Sequence, residues 1–169
     1  MSAGRIFQIN ISPGGVPKLP VETARITHLG IEGDSHRDTE HHGGPERALC
    51  VFAVERIEAL RREGHPIVPG AIGENLTVEG LDWSAIAPED LLLLGEGVLI
   101  QVTRYTSPCQ NITAAFSDGN YARVSQKRHA GDSRVYCRVL RGGMIRRGDA
   151  VKKISPDEAR AVLGRESAP

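Results

Sequence analysis

The three cysteines of this chain sit in different surroundings, and the difference separates a reactive group from two packing groups. Cys109 lies in Thr106-Ser107-Pro108-Cys109-Gln110-Asn111, just past an apolar strand pattern, where a proline precedes it and two amides follow. A thiolate in a reachable loop is either a nucleophile or a soft metal ligand. Cys50 is inside the unbroken apolar run Ala48-Leu49-Cys50-Val51-Phe52-Ala53-Val54, and Cys137 alternates with Val135 and Val139. Both read as small core hydrophobes, the usual place of a free cysteine.

Three segments combine glycine with reactive side chains. The first runs from Gly30-Ile31-Glu32-Gly33-Asp34 to His41-His42-Gly43-Gly44-Pro45-Glu46-Arg47, the second is Pro69-Gly70-Ala71-Ile72-Gly73-Glu74-Asn75, and the third is Arg104 to Asn111. Glycine lets backbone N–H groups approach a ligand closely, and rows of such groups form anion pockets. Arginine adds planar recognition of phosphate. Arg47 reads equally as a phosphate clamp or a solvated charge, and Lys18, Arg104 and Arg123 are further anion candidates. Asp34, after Gly33, is of the type that ties down local N–H groups or orients a histidine. Asn75 is either a structural amide or a group facing a ligand. A zinc site joining His41 or His42 to Cys109 has suitable donor types but lacks the usual spacing. His28, in a strand pattern, and the basic run Lys127-Arg128-His129 read as structural and solvated.

Residues so spread along the chain need a scaffold to bring them together. Residues Gly4 to Ser12 alternate apolar and polar and predict a strand; Val21 to Leu29, Leu49 to Phe52, Asn75 to Val78, Val98 to Arg104, Val135 to Leu140 and Ala150 to Ile154 predict more. Val54, Ile57 and Leu60 share a helical stripe over Val54 to Glu63, closed by Gly64 and Pro66. Ser155-Pro156-Asp157-Glu158 predicts a second helix, within 155–164, by its capping serine, its proline at the first helical position and its glutamate three residues on. Gly30 to Pro45 is too polar to pack as a regular element, and Arg141 to Asp149 reads as a glycine-rich turn region. Many short strands with two helices predict a mainly β (α+β) fold: a closed or nearly closed antiparallel barrel with peripheral helices, one domain over 1–169 with its core at about 6–154.

Composition narrows the function classes. Lys+Arg and Asp+Glu balance at 21 each, so the basic excess of a nucleic-acid binder is missing. The longest apolar run, Ala48 to Val54, is far shorter than the roughly 18 residues of a membrane span. An odd number of cysteines and no secretory pattern at the N-terminus predict a cytoplasmic protein with reduced thiols.

Taken in order, Gly30-Ile31-Glu32-Gly33-Asp34, His42-Gly43-Gly44-Pro45, Pro69-Gly70 through Gly73-Glu74-Asn75-Leu76, Ser107-Pro108-Cys109 and Gly143-Met144-Ile145-Arg146-Arg147-Gly148-Asp149 resemble the MOSC domain, named for the C-terminal part of molybdenum cofactor sulfurases. The resemblance runs from about Ile6 to Ile154 and is to stand-alone forms of the module. It implies a β-barrel that binds a molybdopterin-type molybdenum cofactor rather than pyridoxal phosphate, with Cys109 as metal ligand. Gly33, Asp34, His42, Gly43, Gly44, Arg47, Glu74, Asn75, Arg104 and Ser107 are then expected around the pterin and its phosphate. It further implies an oxidoreductase that reduces a small N-hydroxylated substrate, supplied with electrons by a separate partner because the chain has no flavin fingerprint and no iron–sulfur cysteine set. The alternative is a sulfur carrier holding a persulfide on Cys109, served by a sulfur donor. Some members carry a basic residue just after this cysteine, where the present chain has Gln110-Asn111.

Overall fold

A computed structural model of the chain describes residues 3–35 and 43–165. Eleven strands occur among them: β1 (Ala3–Ile11), β2 (Leu19–Val21), β3 (Thr23–Thr27), β4 (Gly30–Ile31), β5 (Leu49–Ala53), β6 (Leu76–Glu79), β7 (Leu91–Leu94), β8 (Val98–Tyr105), β9 (Val135–Arg141), β10 (Gly143–Arg146) and β11 (Ala150–Ile154). Seven of them close a barrel in the order β1-β11-β7-β8-β9-β5-β6, which returns to β1, with β2 added outside β1. The closing pair is antiparallel, with Ala3 opposite Lys152 and Arg5 opposite Ala150. Strands β10, β3 and β4 form a separate small sheet.

The barrel departs from the antiparallel expectation at one seam. Strands β5 and β6 run parallel, with Val51 opposite Leu76 and Ala53 opposite Val78. A parallel pair needs a crossover connection, and α1 (Val54–Arg62) begins that crossover directly after β5. Val54, Ile57 and Leu60 are its buried stripe, and Gly64 (φ +100°) ends it in a conformation that glycine adopts without strain. The other helix, α2 (Pro156–Leu163), is capped by Ser155, whose Oγ accepts from the Glu158 N–H at 3.1 Å.

Alternation along the strands fills the core. Ile6, Ile9, Val51, Leu76, Val78, Ile100, Val102, Val135 and Cys137 are all nearly inaccessible. Phe52 and Trp83 meet edge to face at 6.1 Å, and the Trp83 indole N–H donates to the Ser133 carbonyl at 3.0 Å. Leu91–Leu94, an apolar run without alternation, is a strand whose two neighbours are β11 and β8. The turn region Arg141 to Asp149 contains β10, which pairs with β3 from Gly143↔Ile26 to Arg146↔Thr23. His28 is not on the buried face with Ala24 and Ile26 but is exposed in the turn after β3.

Candidate functional site

Strand parity explains how the site forms. In the antiparallel pair of β5 with β9, Leu49 stands opposite Cys137 and Val51 opposite Val135, and these four point into the core. Their neighbours Cys50 and Tyr136 also stand opposite each other, on the other face, and both line a cavity of about 420 Å³. Such a volume suits a small organic cofactor or substrate. The β8–β9 ladder continues one step beyond β8, with the Thr106 N–H donating to the Arg134 carbonyl at 3.1 Å. The chain then turns away through Ser107-Pro108 and carries Cys109 to the rim of the cavity. Cys109 is partly exposed, and its carbonyl accepts from the Ile112 N–H at 3.2 Å as the 3-10 turn Gln110–Ala115 begins.

Lys18, Arg47 and Arg134 bring positive charge to this cavity, and no Asp or Glu among the described residues lines it. Arg134 is 6% exposed; its Nη1 donates to the Ile72 carbonyl at 2.7 Å, whereas its Nε is buried with no partner among the described residues. A guanidinium held out of water beside a cavity attracts anions. Lys18 and Asp34 form a buried ion pair at 2.7 Å, their side chains 5% and 4% exposed. Asp34 Oδ1 also accepts from the Ser12 N–H at 2.9 Å, and Oδ2 accepts from Asn75 Nδ2 at 2.8 Å. Lys18 reaches the cavity because its backbone lies against Gly70: the Lys18 N–H donates to the Gly70 carbonyl at 2.9 Å, and a Cβ on Gly70 (φ +87°) would stand 2.2 Å from the Lys18 carbonyl oxygen.

Asn75 serves structure and cavity together. Its Oδ1 accepts from the Cys50 N–H at 3.0 Å and its own N–H donates to the Cys50 carbonyl at 2.7 Å, so it extends the β5–β6 seam while lining the cavity. Glu74 is fully buried behind it and does not line the cavity. Burial pushes the Glu74 carboxyl up to about 7, against hydrogen bonds from Gly70, its own backbone and Thr77 that favour the ionised form. Burial likewise pushes the Cys50 thiol up to about 11 and the Tyr136 phenol up to about 12, and it raises Cys137 as well.

Of the residues singled out from the sequence, Cys109, Ser107, Arg47, Asn75 and Lys18 meet at this cavity, with Asp34 joined to it through Lys18 and Asn75. Gly33, Gly43 and Gly44 are not among its lining, and Arg104 is exposed on β8 outside it. Arg123 is engaged by Glu63 and Asp132 at 2.7 and 2.5 Å and is likewise outside it. His41 and His42 lie outside the described residues. Among the described residues no cluster of three His, Cys, Asp or Glu side chains is arranged to hold a metal ion. Cys50, Arg134 and Tyr136 enter the site without having been singled out for it. The signal for the last two was parity: once Val135 and Cys137 are assigned to the core, Arg134 and Tyr136 must face the other way.

Among the described residues no helix is long and apolar enough to cross a membrane. The protein called YflK in Bacillus subtilis (strain 168) is 33% identical over 149 residues, which is 85% of this chain and 65% of that protein. YiiM of Escherichia coli is 35% identical over 119 residues, 68% of this chain and 53% of that protein, so the chain spans less than two thirds of either relative. The crystal structure of Escherichia coli YiiM superposes with a TM-score of 0.66 at 28% identity, covering 89% of this chain and 70% of that one. A much longer protein of Gibberella moniliformis, named a reductase, is 29% identical over 127 residues, 72% of this chain but 22% of its own length. Residues 38–152 match the MOSC domain model, and with the closed barrel and the cavity beneath Cys109 this makes the chain a member of the MOSC domain family.

Proposed function

We propose that the cavity binds a molybdopterin-type molybdenum cofactor and that Cys109 ligates its metal. The observation that carries this reading is a rim thiol on a cavity lined by Lys18, Arg47 and the buried Arg134, with no Asp or Glu among its described lining residues. The MOSC family is associated with that cofactor. The donor set fits: thiolate is a soft ligand suited to a transition metal, and Arg134, Lys18 and Arg47 offer N–H donors and positive charge to a phosphate. Asn111 provides an amide suited to hydrogen-bond a pterin edge. When bound, the metal would supply two-electron redox chemistry, and the protein binding, orientation and access.

In the reaction we assign to it, an N-hydroxylated substrate takes up two electrons and two protons, losing its N–O bond to give the amine and water. Electrons come from a separate donor protein. Tyr136, beside the cavity and protonated throughout the physiological range, is suited to hold a proton near the site. Asp34 fixes Lys18 and Asn75 beside the cavity in one arrangement.

The test is metal analysis of protein produced in a host that makes the cofactor. Wild-type protein should carry molybdenum, Cys109→Ser should lose it, and Arg134→Met should weaken its retention. Wild-type protein free of molybdenum, and unable to take up cofactor in reconstitution, refutes the reading. One feature favours a second possibility, a sulfur carrier: two thiols, Cys109 and Cys50, line one cavity. That reading requires a sulfur donor and predicts cyanide-labile sulfur on wild-type protein that is absent from Cys109→Ser.

A further inference from the structure

A second depression of about 540 Å³ adjoins the first, and Ser107 contributes to both. The short link Ser107-Pro108 therefore separates them, with Cys109 next in the chain. Tyr105 and Tyr121 give the depression two half-exposed rings that are packed against the core on their other side. Tyr105 is further held by donating its hydroxyl to the Ile86 carbonyl at 3.3 Å. Thr106 belongs to the wall; it is 4% exposed, and its Oγ1 has no partner among the described residues. Lys127 stands exposed at the edge with no ion-pair partner among the described residues, followed by the exposed Arg128 and His129.

We propose that this groove is the substrate subsite of the Cys109 centre and that it selects planar aromatic compounds bearing an anionic group. The rings provide flat apolar area at little cost in side-chain entropy, because their orientations are already set by packing. Lys127 supplies the charge that distinguishes an acid from a neutral or cationic ring, and Ser107 and Thr106 supply hydroxyls on the side nearest Cys109. The inference rests on Cys109 as the reacting centre, but occupancy of the groove does not require the cofactor.

Binding is therefore tested on the full chain by amide NMR titration with benzoate, using benzylamine, benzyl alcohol and cyclohexanecarboxylate as comparisons. Benzoate should shift the amides of residues 105–107 and 121–127 with a dissociation constant on the order of 1 mM, as befits so small a ligand. Benzylamine and cyclohexanecarboxylate should bind more weakly. Lys127→Gln, an exposed substitution that leaves the fold intact, should weaken benzoate by about 2- to 5-fold and leave benzyl alcohol unchanged. Shifts confined to other regions, equal affinity for benzoate and cyclohexanecarboxylate, or no effect of Lys127→Gln would overturn the proposal. Failure of wild-type protein to load molybdenum overturns the cofactor reading instead and leaves this titration unaffected.

Discussion

Replacing Asp34 by alanine removes three partners' acceptor at once. Lys18 Nζ, the Ser12 N–H and Asn75 Nδ2 all donate to this carboxylate, at 2.7, 2.9 and 2.8 Å. Both members of the ion pair are at least 95% hidden from solvent, so water cannot take over the solvation of Lys18 without local opening. Breaking a buried pair from one side costs about 3–5 kcal/mol, far more than the 0–1 kcal/mol of an exposed pair. With a urea slope of about 2 kcal/mol/M, Asp34→Ala should lower the unfolding midpoint by about 2 M. A double-mutant cycle sharpens the expectation. Lys18→Met combined with Asp34→Leu should be less destabilising than the sum of the single changes by about 1–3 kcal/mol, because neither leaves an uncompensated charge. It should not recover wild-type stability, since the Ser12 N–H and the Asn75 amide still lack their acceptor. The assay is equilibrium urea unfolding followed by tryptophan fluorescence, for which Trp83 is the single reporter. A loss below 1 kcal/mol in Asp34→Ala would show that the pair is solvated and that the argument for an organised Lys18 is wrong.

The remaining expectations concern titration, reactivity and backbone. Glu74 is held near 7 in the folded chain against 4.5 for its ordinary value, so the unfolded state releases its proton first and stability should fall by about 3 kcal/mol as the pH rises from 4.5 to 7. Glu74→Gln should flatten that dependence in urea midpoints measured at pH 5 and pH 8; an unchanged slope would assign it to other groups. Iodoacetamide at pH 8 should label Cys109 in native protein well before Cys50 and Cys137, which are buried and raised; peptide mass spectrometry reads the order, and early labelling of Cys137 would contradict the packing of β9. Gly70→Ala should cost more than the roughly 1–2 kcal/mol of a left-handed residue, because its Cβ also meets the Lys18 carbonyl, and thermal unfolding would detect it.

Periodicity made most of this fold legible. β1, β8 and β9 match their expected ranges closely, and α1 and α2 fall within a residue or so of theirs. Leu91–Leu94 was missed because a strand in the closed barrel, covered by α2 on its outer side, has no polar face to alternate with. The parallel seam of β5 and β6 was hidden for a different reason: local pattern shows a strand but not its direction relative to a neighbour. In the site, the reactive loop and the amide of Asn75 were readable from residue type and context. Arg134 was not, since a charged residue that becomes buried looks in sequence like one that stays solvated, and Lys18 stood only among several anion candidates. Cys50 shows the converse: its apolar neighbours describe the core face of β5, while it projects from the opposite face into the cavity.

The pairing of β1 with β11 has a consequence for how such a barrel can be joined to other proteins. Because Ala3 stands opposite Lys152, chain entering at the first strand and chain leaving after the last one do so side by side, and α2 follows β11. A unit with adjacent entry and exit can be set into a longer polypeptide without parting any of its seven seams. It can equally be recut: a circular permutant that joins these two strands by a short linker and opens at an exposed turn would retain the same closed ladder. The barrel is thus portable, and the loops at Cys109 travel with it.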